Sequence, residues 1–257
     1  MTDHTQRFTG RVESYVRYRP SYPHVVLDLL KTECSLTSAS IVADVGSGTG
    51  ILSTLFLQNG NRVFGVEPNP EMRAAAEELL RDQPRFASVA GTAEDTTLPD
   101  DSVDFVVAGQ AFHWFDVERA RAEFGRILKP GGWVALIWNL RRKDATPFLA
   151  AYEELLGLHR TDRGEVEIWR QDADMAEALF DPGSFQRATF DNEQVLDLDG
   201  LKGRLLSVSY VPARGEPGSE AMLREAERIF DEHQKDGTVT IEYDTRVYYG
   251  RLTPKTA

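Results

Sequence analysis

Five short runs of mostly apolar, β-branched residues recur through the first 150 positions. They are IVADV (41–45), RVFGVE (62–67), FASVA (86–90), VDFVVAG (103–109) and WVALIW (133–138). Between them, ILSTLFLQ, EMRAAAEELLRD and VERARAEFGRIL carry apolar residues at helical spacing. Strand alternating with helix predicts βαβ units and a parallel sheet. Strands apolar along nearly their whole length are those covered by helices on both faces. The pattern therefore predicts a doubly wound α/β fold.

The breaks carry their own signals. Pro70 stands before Glu71 and a run of alanines, a helix start with proline in the first turn. Lys129-Pro130-Gly131-Gly132 ends a helix and turns the chain into the strand that follows. Upstream, Phe8, Val12, Tyr15 and Val16 share a helical face that Arg19-Pro20 stops, and Pro23 opens a second helix carrying Val26, Leu29 and Leu30. Beyond residue 140 the rhythm changes. Residues 144–182, 199–209 and 219–235 read as helices, and 185–191 and 239–249 as strands whose stronger alternation suits an antiparallel sheet edge. No linker separates two units. The expected organisation is one domain over 1–257, with a helical cap at 1–35, a ligand-binding core at 40–140, helical insertions over the ligand side at 141–237 and a last strand at 238–250.

Composition narrows the partners. The 257 residues include 41 acidic and 29 basic ones, a formal charge of −12. Nucleic-acid binding depends on neutralising phosphates, so this balance favours a small-molecule ligand over DNA, RNA or an anionic membrane. No apolar run approaches a membrane span, and the first ten residues lack a hydrophobic signal region. Cys34 is the one cysteine, which suits a reducing compartment; the expected location is cytoplasmic. The five histidines are dispersed and no H-x-x-x-H or C-x-x-C occurs, so no metal site is expected.

The sharpest motif is Val42-Ala43-Asp44-Val45-Gly46-Ser47-Gly48-Thr49-Gly50-Ile51. A buried strand runs into three alternate glycines and then a helix. Glycine permits positive φ and close approach of a ligand to the main chain, and the helix start presents free N–H groups. The dinucleotide fingerprint is G-x-G-x-x-G; here the third glycine comes one residue early. A carboxylate at Asp44 faces a ligand amine better than a pyrophosphate. The second strand ends in Glu67, 17 residues after Gly50, followed by Pro68-Asn69-Pro70. An acidic residue there can accept hydrogen bonds from ribose hydroxyls.

This segment resembles motif I of the class I S-adenosylmethionine-dependent methyltransferases, and further pieces match in order. Glu67 resembles the family's ribose ligand. Gly91-Thr92-Ala93-Glu94-Asp95 resembles its G-x-A-E segment along the adenine. Val103–Val107 resembles the fourth strand, and Leu128-Lys129-Pro130-Gly131-Gly132 the turn before the fifth. The likeness covers roughly residues 40–140. It implies a Rossmann-like seven-stranded sheet, mostly parallel with the last strand antiparallel, and S-adenosylmethionine as cofactor. Ala111-Phe112-His113-Trp114-Phe115, with Tyr15 and Tyr18-Arg19-Pro20-x-Tyr22-Pro23, resembles a narrower subgroup containing trans-aconitate methyltransferase-like enzymes that methylate small-molecule carboxylates.

The resemblance implies cofactor contacts from Tyr15, Arg19, Asp44, Gly46, Ser47, Gly48, Gly50, Glu67, Pro68, Asn69, Met72, Ala93, Glu94, Gln110 and Ala111. His113 and Trp114 would face the acceptor, with His113 the candidate base for a hydroxyl; a carboxylate acceptor needs none at pH 7. Arg141-Arg142-Lys143, after the fifth strand, hint at an anionic acceptor, although such a run is often only solvated. Two other readings stay open: a cofactor-binding regulatory or partner protein without catalysis, and a nicotinamide-dependent oxidoreductase.

Overall fold

In the computed structural model, residues 17–161 and 172–252 are described. Phe8, Val12, Tyr15 and Val16 of the expected first helix lie outside them. The described chain runs α1 (Val25–Cys34), β1 (Ile41–Val45), α2 (Ile51–Gln58), β2 (Arg62–Val66), α3 (Pro70–Leu79), β3 (Phe86–Val89), β4 (Val103–Gly109), a 3₁₀ turn (Phe112–Trp114) and α4 (Val117–Ile127). It continues through β5 (Leu128–Arg141), α5 (Pro147–Leu158), α6 (Asp172–Leu179), β6 (Phe185–Leu196), α7 (Leu198–Leu206), α8 (Ser219–His233) and β7 (Val239–Gly250).

The seven strands form one sheet in the order β3-β2-β1-β4-β5-β7-β6. The first five are parallel, and β7 runs antiparallel to both β5 and β6, which leaves β6 parallel to the rest. The chain moves outward from β1 to β3, then returns to place β4 on the other side of β1. At this switch point the loops at the carboxyl ends of β1 and β4 diverge and leave a crevice, the usual ligand position in such sheets.

Burial follows the two-residue period of a strand. Val42, Phe105, Val107, Ala135 and Ile137 pack against α1 and α2 on one face. Ala43, Val45, Val106, Ala108, Leu136 and Trp138 pack against α4 and α6 on the other. Local chemistry marks the helix starts. Asn69 Oδ1 accepts from the Glu71 and Met72 N–H groups, with Pro70 in the first turn, and Asp116, Thr146 and Asp197 cap α4, α5 and α7.

Three expected boundaries shift, each for a tertiary reason. The Lys129–Gly132 segment is a wide bulge inside β5 rather than a turn before it. Val103 pairs with Leu128 and Phe105 with Trp133, and Gly131 absorbs the excursion at φ +80°. β5 also runs past 138 to Arg141, because its last residues pair with Tyr243–Thr245 of β7. β6 extends from the expected end at 191 to Leu196 for the same reason: Asn192–Leu196 pair with Val239–Tyr243. This two-stranded ribbon projects beyond the carboxyl end of β5. A third apolar cluster, from α5, α7 and α8, packs on it. The insertions thus wall one side of the crevice.

Candidate active site

The β1–α2 loop builds the floor. Gly46, Gly48 and Gly50 all take positive φ, at +69°, +56° and +84°. At Gly46 no other residue fits, since an added Cβ would stand 2.6 Å from the Ala111 Cβ and 3.2 Å from the Phe115 ring. Gly50 does something the motif did not announce. It begins α2 with its α-carbon turned to Leu80 rather than to a cavity, and a Cβ there would meet Leu80 Cδ1 at 2.7 Å.

Glu67 shapes this loop from the neighbouring strand. Its Oε2 accepts from the Gly48 N–H and its Oε1 from the Asn69 N–H, both at 2.9 Å. Burial raises its pKa, and those two bonds oppose the rise. The carboxylate holds together the loops after β1 and β2, with further acceptor sites on both oxygens. Met72 lies beneath the loop, its Cε 3.9 Å from where a Gly48 Cβ would be. Ala93 is buried in the core, and Glu94 accepts from the Asp116 N–H at 2.8 Å.

Asp44 is 1% exposed. Ser53 Oγ donates to its Oδ2 at 2.6 Å, while the buried Oδ1 has no hydrogen-bond partner. Burial lifts its pKa to about 7; the Ser53 bond opposes the lift and the nearby Glu67 charge adds to it. A buried carboxylate with one unmet oxygen is costly unless a donor arrives. Asp44 opens onto a narrow cavity of about 40 Å³ that Gly46, Ser47, Gly48, Gly109 and Gln110 also line.

Gln110 is a second stressed position. It holds a left-handed backbone (φ +56°) without being glycine. Its N–H bonds to Ile137 O (3.0 Å), its Nε2 bonds to Asn139 O (2.9 Å), and its buried Oε1 has no partner. The loop after β4 then turns through the 3₁₀ segment. Phe115 packs on Phe112 and Phe124, whereas His113 and Trp114, with ring centroids 4.5 Å apart, face a much larger cleft.

That cleft, about 1280 Å³, adjoins the narrow cavity and shares Arg19, Gln110, Asn139 and Arg204 with it. Among the described residues its walls carry seven arginine or lysine side chains against four carboxylates. Arg141 pairs with Glu153 and donates to Tyr210 Oη at 3.1 Å. Burial raises the Tyr210 pKa, but the guanidinium more than offsets it and leaves the phenol below its usual range. Arg142 pairs with Asp191 and Asp244, and Arg246 with Asp172. Residues 18–22 cross the junction as a strap. Tyr18 O accepts from Gln194, Ser21 O from Asn139 and Asn192, and Arg19 Nη2 donates to Ser207 O at 2.7 Å.

The fold thus gathers Arg19, Asp44, Gly46, Ser47, Gly48, Gln110, His113 and Trp114 around two adjoining cavities. Glu67, Pro68, Asn69, Met72, Ala93 and Glu94 line neither cavity. Nor do Gly50, which faces Leu80, and Ala111, which backs Gly46. Tyr15 lies outside the described residues. Asn139, Arg204, Tyr210 and Arg246 were not expected. They come from the end of β5, from the insertions and from β7, where no motif marks them. Among the described residues no group of three His, Cys, Asp or Glu side chains could hold a metal, and no helix is long and apolar enough to cross a membrane.

Residues 43–136 match a methyltransferase domain. An uncharacterized methyltransferase of Mycobacterium tuberculosis is 41% identical over 139 residues, 54% of this chain and 54% of the relative. That match therefore spans about half of the relative's length. An uncharacterized methyltransferase-like protein of Schizosaccharomyces pombe is 28% identical over 251 residues, 96% of both chains. A solved structure from Anaeromyxobacter dehalogenans, assigned as a type II methyltransferase, superimposes with a TM-score of 0.69 at 26% identity, covering 92% of this chain and 99% of that one. Residues 43–136 thus carry a methyltransferase domain, on a fold that 92% of the chain shares with a solved methyltransferase structure.

Proposed function

We propose that the chain uses S-adenosylmethionine to methylate a small molecule at oxygen, with a carboxylate oxygen as the favoured acceptor. One observation carries the reading: the buried, unmet Oδ1 of Asp44, a residue that lines, with the glycine loop, a narrow cavity adjoining a large cleft. An aliphatic ammonium is the donor that this oxygen lacks, and an amino-acid ligand brings one.

The residues lining the two cavities fit the amino-acid half of that ligand, and those after β2 and β3 carry the chemistry for its nucleoside half. Asp44 takes the ammonium, and Gly46, Ser47 and Gly48 let the main chain approach the amino-acid half. Glu67, with acceptor sites left on both oxygens, takes the ribose hydroxyls next to Pro68 and Asn69. Met72, Ala93 and Glu94 flank the base. Gln110 and Ala111 border the methionine chain, and Arg19 in the strap faces its carboxylate. When bound, the cofactor supplies a sulfonium methyl; the acceptor oxygen's lone pair forms the new C–O bond while the C–S pair returns to sulfur. A carboxylate acceptor has no proton to lose, so the protein's task is alignment and exclusion of water. His113 and Trp114 border the approach path from the cleft, and for a hydroxyl acceptor His113 is the proton acceptor. The net charge of −12 disfavours a nucleic-acid substrate and fits a small, freely diffusing acceptor in the cytoplasm.

Isothermal titration with S-adenosylhomocysteine tests the reading. Saturable binding that weakens in Asp44→Ala is expected; no binding at millimolar ligand refutes it. A screen with labelled S-adenosylmethionine then distinguishes an enzyme from a protein that only binds.

A further inference from the structure

Among the cations around the cleft, Arg204 stands apart. It sits in α7, 2% exposed, and lines both the narrow cavity and the cleft, at their junction. The neighbouring arginines are neutralised within the protein: Arg141 by Glu153, Arg142 by Asp191 and Asp244, Arg246 by Asp172. Among the described residues Arg204 pairs with no carboxylate. Its partners there are neutral hydroxyls: Tyr243, 3.3 Å from Nε, and Ser207, 3.2 Å from Nη1. Removing a guanidinium from water without a counter-charge is expensive, and its planar fork matches a carboxylate in two-point fashion. Among the described residues that line the cleft, cations outnumber carboxylates by three, in a protein whose overall charge is strongly negative.

We infer that Arg204 is the acceptor-binding residue of this site, and that the acceptor is a small carboxylic acid whose carboxylate docks on its guanidinium at the junction of the two cavities. The inference rests on the methyl-transfer reading above and adds the residue that selects and holds the acceptor. The excess charge draws acids into the cleft. Arg204 then holds the carboxylate against the narrow cavity, where Asp44 and the glycine loop lie. A neutral isostere leaves the guanidinium unpaired and is rejected, as buried charged sites reject ligands lacking their partner group.

The test uses the full chain, tritium-labelled S-adenosylmethionine, and a panel of small mono-, di- and tricarboxylic acids, each paired with its neutral amide. The expected result is label transferred to an acid and not to its amide. Arg204→Gln should raise that acid's KM by roughly tenfold or more, the loss typical of a charged hydrogen-bonded pair, and Arg204→Lys should recover part of it. Affinity for S-adenosylhomocysteine, measured on the same variants by titration, should stay within about twofold of the parent, which also reports that the buried substitution has left the fold intact. Label on the amides as readily as on the acids overturns the inference. So does an acid whose KM ignores Arg204→Gln, or a loss that falls on S-adenosylhomocysteine instead, which would give the guanidinium to the cofactor's own carboxylate. A protein that binds S-adenosylhomocysteine but methylates no acid overturns it too and leaves the cofactor assignment standing; a protein that fails to bind S-adenosylhomocysteine overturns both.

Discussion

Replacing Asp44 with asparagine should make the ligand-free protein more stable and the ligand-bound complex weaker. The side chain is 1% exposed, with its pKa lifted by burial from 3.8 to about 7 despite the Ser53 hydrogen bond. A carboxyl group whose folded pKa lies above its unfolded one binds more protons folded than unfolded between the two values. Folding stability contributed by this group therefore falls as pH rises from about 4 to about 7, and the full cost is present above pH 7. A lift of about three pKa units corresponds to about 4 kcal/mol at pH 8. By the same linkage, about 2–3 kcal/mol of that cost develops between pH 5 and pH 8. The asparagine side chain does not ionise, and its amide oxygen still accepts from Ser53 Oγ, so the variant is free of this cost. Urea unfolding of parent and Asp44→Asn at pH 5 and pH 8 measures the difference directly. The gap between the two proteins should widen by about 2–3 kcal/mol at the higher pH, while affinity for S-adenosylhomocysteine drops by about 1–3 kcal/mol. Parallel stability profiles at the two pH values would refute the reasoning, because Asp44 would then carry its charge at no cost and would have no need of a ligand's ammonium.

Other consequences are equally measurable. Glu67→Gln keeps one acceptor oxygen where two backbone N–H groups, of Gly48 and Asn69, need one each; a thermal melt should show a loss of about 1–3 kcal/mol together with weaker S-adenosylhomocysteine binding. Gly46→Ala puts a methyl group 2.6 Å from the Ala111 Cβ at a φ of +69°, so unfolding should come about 1–3 kcal/mol more easily and ligand titration should weaken steeply. Glu123 accepts from the Thr96 N–H at 2.8 Å and from Arg126 Nε at 2.8 Å. Although burial raises its pKa, these bonds bring it below the usual carboxylate range. The stability it contributes is present above the unfolded pKa and is lost as pH falls through the lower folded value. Glu123→Gln should therefore flatten the acid limb of a denaturation profile below about pH 4.

The glycine-loop half of this protein was legible in one dimension because its determinants are local. Runs of β-branched residues separated by helical repeats dictate a parallel sheet with covered faces, and a glycine loop between strand and helix dictates where a ligand's main-chain contacts fall. Asp44, Gly46, Gly48 and Glu67 could be named from spacing, since each sits within a few residues of a strand end. Their partnerships were not in the spacing. That Glu67 grips the Gly48 N–H, that Gly50 turns to Leu80, and that Asp44 is left with an unmet oxygen depend on how close neighbouring strands and helices come. The lining of the large cleft was decided by tertiary structure. Arg141, Arg204, Tyr210 and Arg246 are scattered over more than 100 positions with no repeating interval. They meet because the β6–β7 ribbon outruns β5 and carries α5, α7 and α8 over the carboxyl edge of the sheet. Sequence patterning records the period of an element and the chemistry at its ends. It holds no record of which side chains from distant elements share a cavity, because that depends on register, bulge and packing distance, which only the folded chain possesses.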